Sequence, residues 1–180
     1  MIIIDAHAHY YEQPNYLNDL LQVMDSCGIE KTCLSGIGPV FQCKTNSDVK
    51  EAMDEFPQRI IGSYYIRPGV SDPEEIEQAK TNGFQMLKVS LPKKPYNAIE
   101  YNQYWNLADE LEMPVLFHTG IVTISNPTIF NDISSWNMHP MRLEPITNRF
   151  PNLNLIIAHM GVHWNEDAAE LARMRPNVYI

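Results

Sequence analysis

The sequence predicts an α/β protein built as a (β/α)8 barrel and cut off near the start of its seventh strand. Three observations lead there. Short apolar runs alternate with segments of helical period along the whole chain. The runs are continuously apolar rather than alternating, as in parallel strands covered on both faces. The 180 residues fall short of the roughly 250 typical of a closed barrel, whose lower bound is near 200.

Each element has its own signal. Ile2-Ile3-Ile4 reads as the opening of a buried first strand, and Leu17, Leu20, Leu21 and Met24 recur at helical spacing before Gly28. Thr32 to Ile37 is the predicted second strand. Val49, Ala52, Met53 and Phe56 form the next apolar face, ended by Pro57, and Ile60 to Ile66 is the third strand. Asp72, Pro73 and the pair Glu74–Glu75 mark a helix start, with a cap, a proline at the first position and acids at the positive end. Gly83 closes that helix, and Phe84 to Val89 is strand four. Tyr104, Trp105, Ala108 and Leu111 line a fourth helix, with Trp105 read as core, and Pro114 to Phe117 begins strand five. A helix around Leu143 to Phe150 precedes strand six at Leu153 to Ala158. Asn177 to Ile180 opens strand seven. The segment from Gly120 to His139 reads as a long loop, and loops of that length in a compact domain usually serve a site. No linker interrupts the pattern, so residues 1–180 read as one C-terminally incomplete domain.

Composition narrows the function. A formal charge of −9 argues against nucleic acid, which needs a basic stripe, and against a polybasic membrane contact. Cys27, Cys33 and Cys43 are odd in number and form no CxxC pair, so neither a disulfide framework nor a thiolate zinc site is indicated. No signal peptide or apolar span is legible, and the expected location is the cytoplasm. Homo-oligomerisation stays open.

Four of the six histidines fall where strands end. His7 and His9 are two residues apart, so on a strand their imidazoles share a face and can converge on one ion. His118 ends strand five and His159 ends strand six. In a parallel barrel all such ends open on the same rim, which carries the active site. Taken alone, His7-Ala8-His9 also fits a pair of exposed turn histidines, and His118 a hydrogen-bonded core residue.

The runs Ile4-Asp5-Ala6-His7-Ala8-His9, Val115-Leu-Phe-His118-Thr-Gly120 and Phe150-Pro-Asn-Leu-Asn-Leu-Ile-Ile-Ala-His159-Met-Gly161 together resemble the amidohydrolase-related branch of the amidohydrolase superfamily. That branch holds metal-dependent hydrolases, lactonases and decarboxylases on a TIM barrel. The resemblance implies that His7, His9 and His118 are metal ligands, and that His159 acts on the activated water or the substrate. Asn177-Val178-Tyr179-Ile180 is similar to the family's strand-seven opening. Two departures stand out: the family's strand-eight aspartate has no counterpart, and the decarboxylases' arginine after strand two is replaced by Lys44 alone between Gly36 and Asn46.

Other residues are candidates at the same rim. Lys88 closes strand four and is expected to contact substrate or a neighbouring carboxylate. The resemblance also makes a carbamylated, metal-bridging lysine conceivable there. Arg67 closes strand three, where it could grip a substrate carboxylate or form a structural ion pair. Trp136 and Trp164 are expected to wall a pocket for a ring or acyl chain. Asp5 could orient a ligand imidazole or cap the backbone. His163 is expected in solvent, and His139-Pro140 as a helix start. The expected function is hydrolysis of an ester, lactone or amide of a small molecule through water activated by a divalent metal, with zinc the first choice. The alternatives are a metal-dependent decarboxylase of a small carboxylic acid and a truncated, non-catalytic homologue that serves as a binding module.

Overall fold

The computed structural model describes residues 2–122 and 131–180. The chain divides into two compact units, Met1–Tyr65 with Ala79–Met86, and Ile66–Gln78 with Leu87–Ile180.

In the first unit, β1 (Ile4–His9), α1 (Tyr16–Cys27), β2 (Lys31–Ser35), α2 (Asn46–Glu55) and β3 (Ile60–Ile66) follow one another. The strands pair in parallel, with Ile4 opposite Lys31 and Thr32 opposite Ile60. Leu34, Ala52 and Ile60 form a buried cluster that Ala8, Tyr10, Leu17, Leu20, Met53 and Phe56 cover. The apolar periodicity of α1 and α2 therefore faces this sheet, as expected. A Cβ on Gly62 would stand 2.0 Å from the Met53 sulfur, so the bare glycine lets α2 approach β3.

Two expectations need correction here. Ile2, Ile3 and Ile4 are exposed (68%, 43% and 50%) rather than buried. The ladder starts only where Ile4 meets Lys31, so the strand runs on to include both His7 and His9. β2 stops at Ser35 instead of Ile37, because the chain turns at Gly36, whose Cβ would collide with the Thr45 carbonyl at 2.4 Å.

α3 (Glu75–Thr81) bears out its start signal. Asp72 accepts the Glu74 N–H at 3.0 Å, and Glu75 reaches back to the Asp72 N–H at 2.9 Å. This reciprocal cap satisfies donors that the first turn cannot.

β4 (Met86–Val89), α4 (Asn102–Glu110), β5 (Val115–Phe117), α5 (Glu144–Arg149), β6 (Leu155–Ile157), α6 (Asn165–Met174) and β7 (Val178–Tyr179) complete the chain. Lys88 lies opposite Leu116, Phe117 opposite Ile157 and Leu155 opposite Val178, again all parallel. The strands are shorter than their apolar runs, since flanking residues such as Phe84 and Leu153 are buried without joining a ladder. Trp105 is fully buried against Phe117 (5.1 Å between rings) and donates to the Tyr96 carbonyl at 3.0 Å, so its core role holds.

The predicted loop after β5 carries structure of its own. Ser135–Met138 and Pro140–Arg142 are single 3-10 turns, and His139 caps the second by accepting the Met141 N–H at 3.2 Å. Residues 123–130 of that loop lie outside the described residues.

Candidate active site

In the first unit, His7 and His9 bring their Nε2 atoms to 3.1 Å, with ring centroids 4.8 Å apart. The pairing register slips between Asp5 and Ala8, so β1 carries one extra residue around Ala6 and His7. Such a bulge re-aims side chains. Asp5 takes the capping alternative: one oxygen accepts the His7 backbone N–H at 3.0 Å, the other the Thr32 hydroxyl at 3.1 Å.

Ser35, which sequence reasoning missed, sets the state of His9. Its hydroxyl donates to the Ala8 carbonyl at 3.0 Å, so towards His9 Nδ1, also at 3.0 Å, it can only accept. The His9 proton therefore sits on Nδ1, and Nε2 turns a lone pair towards His7. The only signal in the sequence was a polar residue closing an apolar run. Tyr16 anchors the same strand end by donating to the His9 carbonyl at 2.5 Å.

In the second unit, three candidate side chains come from neighbouring strands. Lys88 is on β4, His118 follows β5, and His159 follows β6. The two imidazoles lie edge to face, 4.9 Å apart. His159 has a left-handed backbone (φ 59°, ψ 18°), as does Met160 (φ 48°). That conformation costs a non-glycine residue about 1 kcal/mol or more, and strain of this kind concentrates at functional sites. Around it the ends of β5 and β6 are stitched together. Thr119 donates to the Ala158 carbonyl at 2.6 Å, and the Ile121 N–H to Val162 at 2.8 Å. Gly120 (φ +112°) permits this approach, since its Cβ would meet the Val162 carbonyl oxygen at 2.1 Å.

Lys88 is buried, and desolvation pulls its amine down to about 7. Burial and then the Lys88 charge lower the pKa of His159, which favours a neutral imidazole able to accept a proton. Tyr96, buried and also missed from the sequence, donates its hydroxyl to the His118 carbonyl at 2.9 Å.

The remaining candidates divide. Arg67 donates from Nε to the Leu91 carbonyl and from a terminal nitrogen to Asp132, both at 2.8 Å, so an ion pair is present. Trp136 and Trp164 meet at 5.7 Å with His139 between them, at 4.8 and 4.5 Å. Arg142 lies 5.8 Å from the Trp136 ring. His163 is exposed. Cys27, Cys33 and Cys43 are free thiols, and burial raises Cys33 and Cys43 to about 11.

Among the described residues, no group of three or more His, Cys, Asp or Glu side chains is gathered for a metal ion. The donor set in hand is the His7–His9 pair, whose facing ring nitrogens suit a borderline divalent cation. No helix of the described residues is long and apolar enough to cross a membrane.

Comparison with known proteins places these features. The family model for amidohydrolase matches residues 38–180. Protein fluG of Emericella nidulans is 25% identical over 163 residues, covering 86% of this chain, while the chain spans only 16% of that protein. An uncharacterized TIM-barrel protein of Bordetella bronchiseptica superimposes with a TM-score of 0.73 at 15% identity, over 99% of this chain and 74% of its own. A 5-carboxyvanillate decarboxylase of Novosphingobium aromaticivorans, complexed with manganese and 4-hydroxy-3-methoxy-5-nitrobenzoic acid, gives a TM-score of 0.67 at 16% identity, over 96% of this chain and 69% of its own. Identities this low speak for the fold, which is that of the TIM barrels.

Proposed function

Because the chain belongs to the amidohydrolase family, we propose that it serves a metal-dependent enzyme that hydrolyses an ester, lactone or amide of a small molecule. The observation carrying this reading is the His7–His9 pair, with Nε2 atoms 3.1 Å apart and the His9 tautomer fixed by Ser35. The family resemblance adds His118 as the third ligand. These residues would hold a divalent ion, which when bound would supply Lewis acidity for activating water and polarising a carbonyl. Zinc suits imidazole donors, and the manganese in the related decarboxylase makes that ion the competitor.

The chain's own groups take the remaining roles. His159, lowered in pKa and held beside His118, accepts and returns the proton. Lys88 and Arg67 contact the polar end of the substrate, and Trp136 and Trp164 wall its ring or acyl part. A reducing, cytoplasmic setting fits the free thiols of the chain.

A second reading, decarboxylation of a small carboxylic acid, is favoured by the likeness to 5-carboxyvanillate decarboxylase. One experiment separates the two. Protein loaded with zinc or manganese is given lactones, esters, amides and hydroxylated benzoic acids, and products are followed by mass spectrometry and carbon dioxide release. Ring opening or acyl cleavage without carbon dioxide supports the hydrolase. Carbon dioxide release supports the decarboxylase. A protein that binds metal and turns over nothing in the panel contradicts both.

A further inference from the structure

We propose that Arg67 and Lys93 form a receptor for a ligand carboxylate, and that Asp132 is the internal competitor occupying it in this structure. The two oxygens of Asp132 are divided between two cations. Oδ1 stands 2.8 Å from the Arg67 guanidinium and Oδ2 stands 3.8 Å from the Lys93 ammonium. A bound carboxylate needs the same arrangement, with a planar donor fork on one oxygen and a point charge near the other.

The guanidinium is held more firmly than the anion, while the Lys93 side chain is 48% exposed and tied down only at its backbone. Arg67 donates Nε to the Leu91 carbonyl at 2.8 Å. Leu91 presents that carbonyl from a left-handed backbone (φ 53°) although it is a buried leucine. Its strain persists because the surroundings over-determine it. The Lys93 N–H is tied to Pro68, the Lys94 N–H to the Tyr101 hydroxyl, and Tyr101 in turn to Pro68. The backbone on both sides of the cation pair is thereby locked to the buried Tyr101. Arg67 itself is 17% exposed.

Asp132 reaches the pair from the loop after β5, and its side chain is 38% exposed. Its carboxyl is held below its usual range by Arg67, through the hydrogen bond and then the charge. An ion pair this open to solvent adds little to stability, so an incoming carboxylate can replace it at little cost. The Leu91 carbonyl that orients the guanidinium belongs to the third residue after Lys88, so the receptor adjoins the strand end carrying the candidate catalytic groups. The inference relies on the proposed function only for the use of this receptor, since binding itself needs neither metal nor turnover.

Metal-free full-length protein at low ionic strength is titrated with benzoate, and with benzamide as its uncharged counterpart. The Arg67 Nε–H signal is followed by NMR. Wild type should bind benzoate weakly, and Asp132→Asn should bind it about tenfold tighter because the internal competitor is neutral. Arg67→Gln should abolish binding. Arg67→Lys, which keeps the charge and loses the fork, should weaken it and serves if the glutamine variant fails to fold. Unchanged or weaker benzoate binding by Asp132→Asn overturns the proposal, and so does benzamide binding as well as benzoate. Because no chemistry is read, such a result leaves metal-dependent turnover untouched. Absent turnover likewise leaves the binding result standing.

Discussion

His118 and His159 face each other edge to plane with ring centroids 4.9 Å apart, at the ends of the adjacent parallel strands β5 and β6. Phe117 and Ile157, the last residues of those strands, are register partners, and His118 follows that rung by one residue and His159 by two. The backbone at His159 is left-handed (φ 59°, ψ 18°).

The pair divides labour in the proposed site, with His118 as ligand and His159 as proton carrier. In metal-loaded enzyme, His159→Asn should lower kcat by about a hundredfold, the scale of an acid–base group, while metal content stays at the wild-type level. Turnover and elemental analysis on the same sample check both halves. Loss of metal with recovery of activity in excess zinc would make His159 a ligand instead.

Lys88 makes stability depend on pH in a direction that can be worked out. Its amine is lowered from 10.5 to about 7 by burial. Between those values the unfolded chain holds the proton and the folded chain does not, so stability rises with pH across that window. Below about 7 both states are protonated, and the full cost of a buried charge remains. Lys88→Met keeps the buried stem and removes the charge. It should exceed wild type in stability most at pH 6, with the gap closing towards pH 10. Urea unfolding at pH 6, 8 and 10 measures this, and a gap independent of pH would refute the assignment.

In the proposed site Ser35 acts through His9 rather than on the metal ion itself. Ser35→Ala removes the acceptor that holds the His9 proton on Nδ1. Metal affinity should fall about 10- to 100-fold, as for other outer partners of ligand histidines. The fold, monitored by circular dichroism, should be unchanged. Competition with a chromophoric chelator gives the affinity, and an unaltered value would assign Ser35 to strand pairing alone.

The order of strands and helices was legible because each apolar run is continuous and each helix but one shows a face or a cap. α6 escaped notice because its buried face offers a single large apolar residue, Leu171, beside Ala168. The start of α3 could be read to within two residues, with Pro73 expected first and Glu75 found, because Asp72 and Glu75 act through local chemistry. Burial of Ile2 to Ile4 could not, because apolarity does not say where a ladder begins. The histidines were found by their positions at strand ends. The groups that set their states were hidden: Ser35 and Tyr96 lie 26 and 22 residues from the histidines they support, and neither belongs to a motif. The extra residue in β1 and the left-handed His159 involve no glycine or other residue that announces them.

The central claim is that His7 and His9 hold a catalytic divalent ion, and metal stoichiometry tests it most directly. Wild type, His7→Ala and His9→Ala are loaded with zinc or manganese, dialysed and measured by elemental analysis. About one equivalent is expected in wild type and the loss of most of it in each variant, since removing one of three or four donors leaves an incomplete coordination sphere. Equal metal content in all three proteins would contradict it.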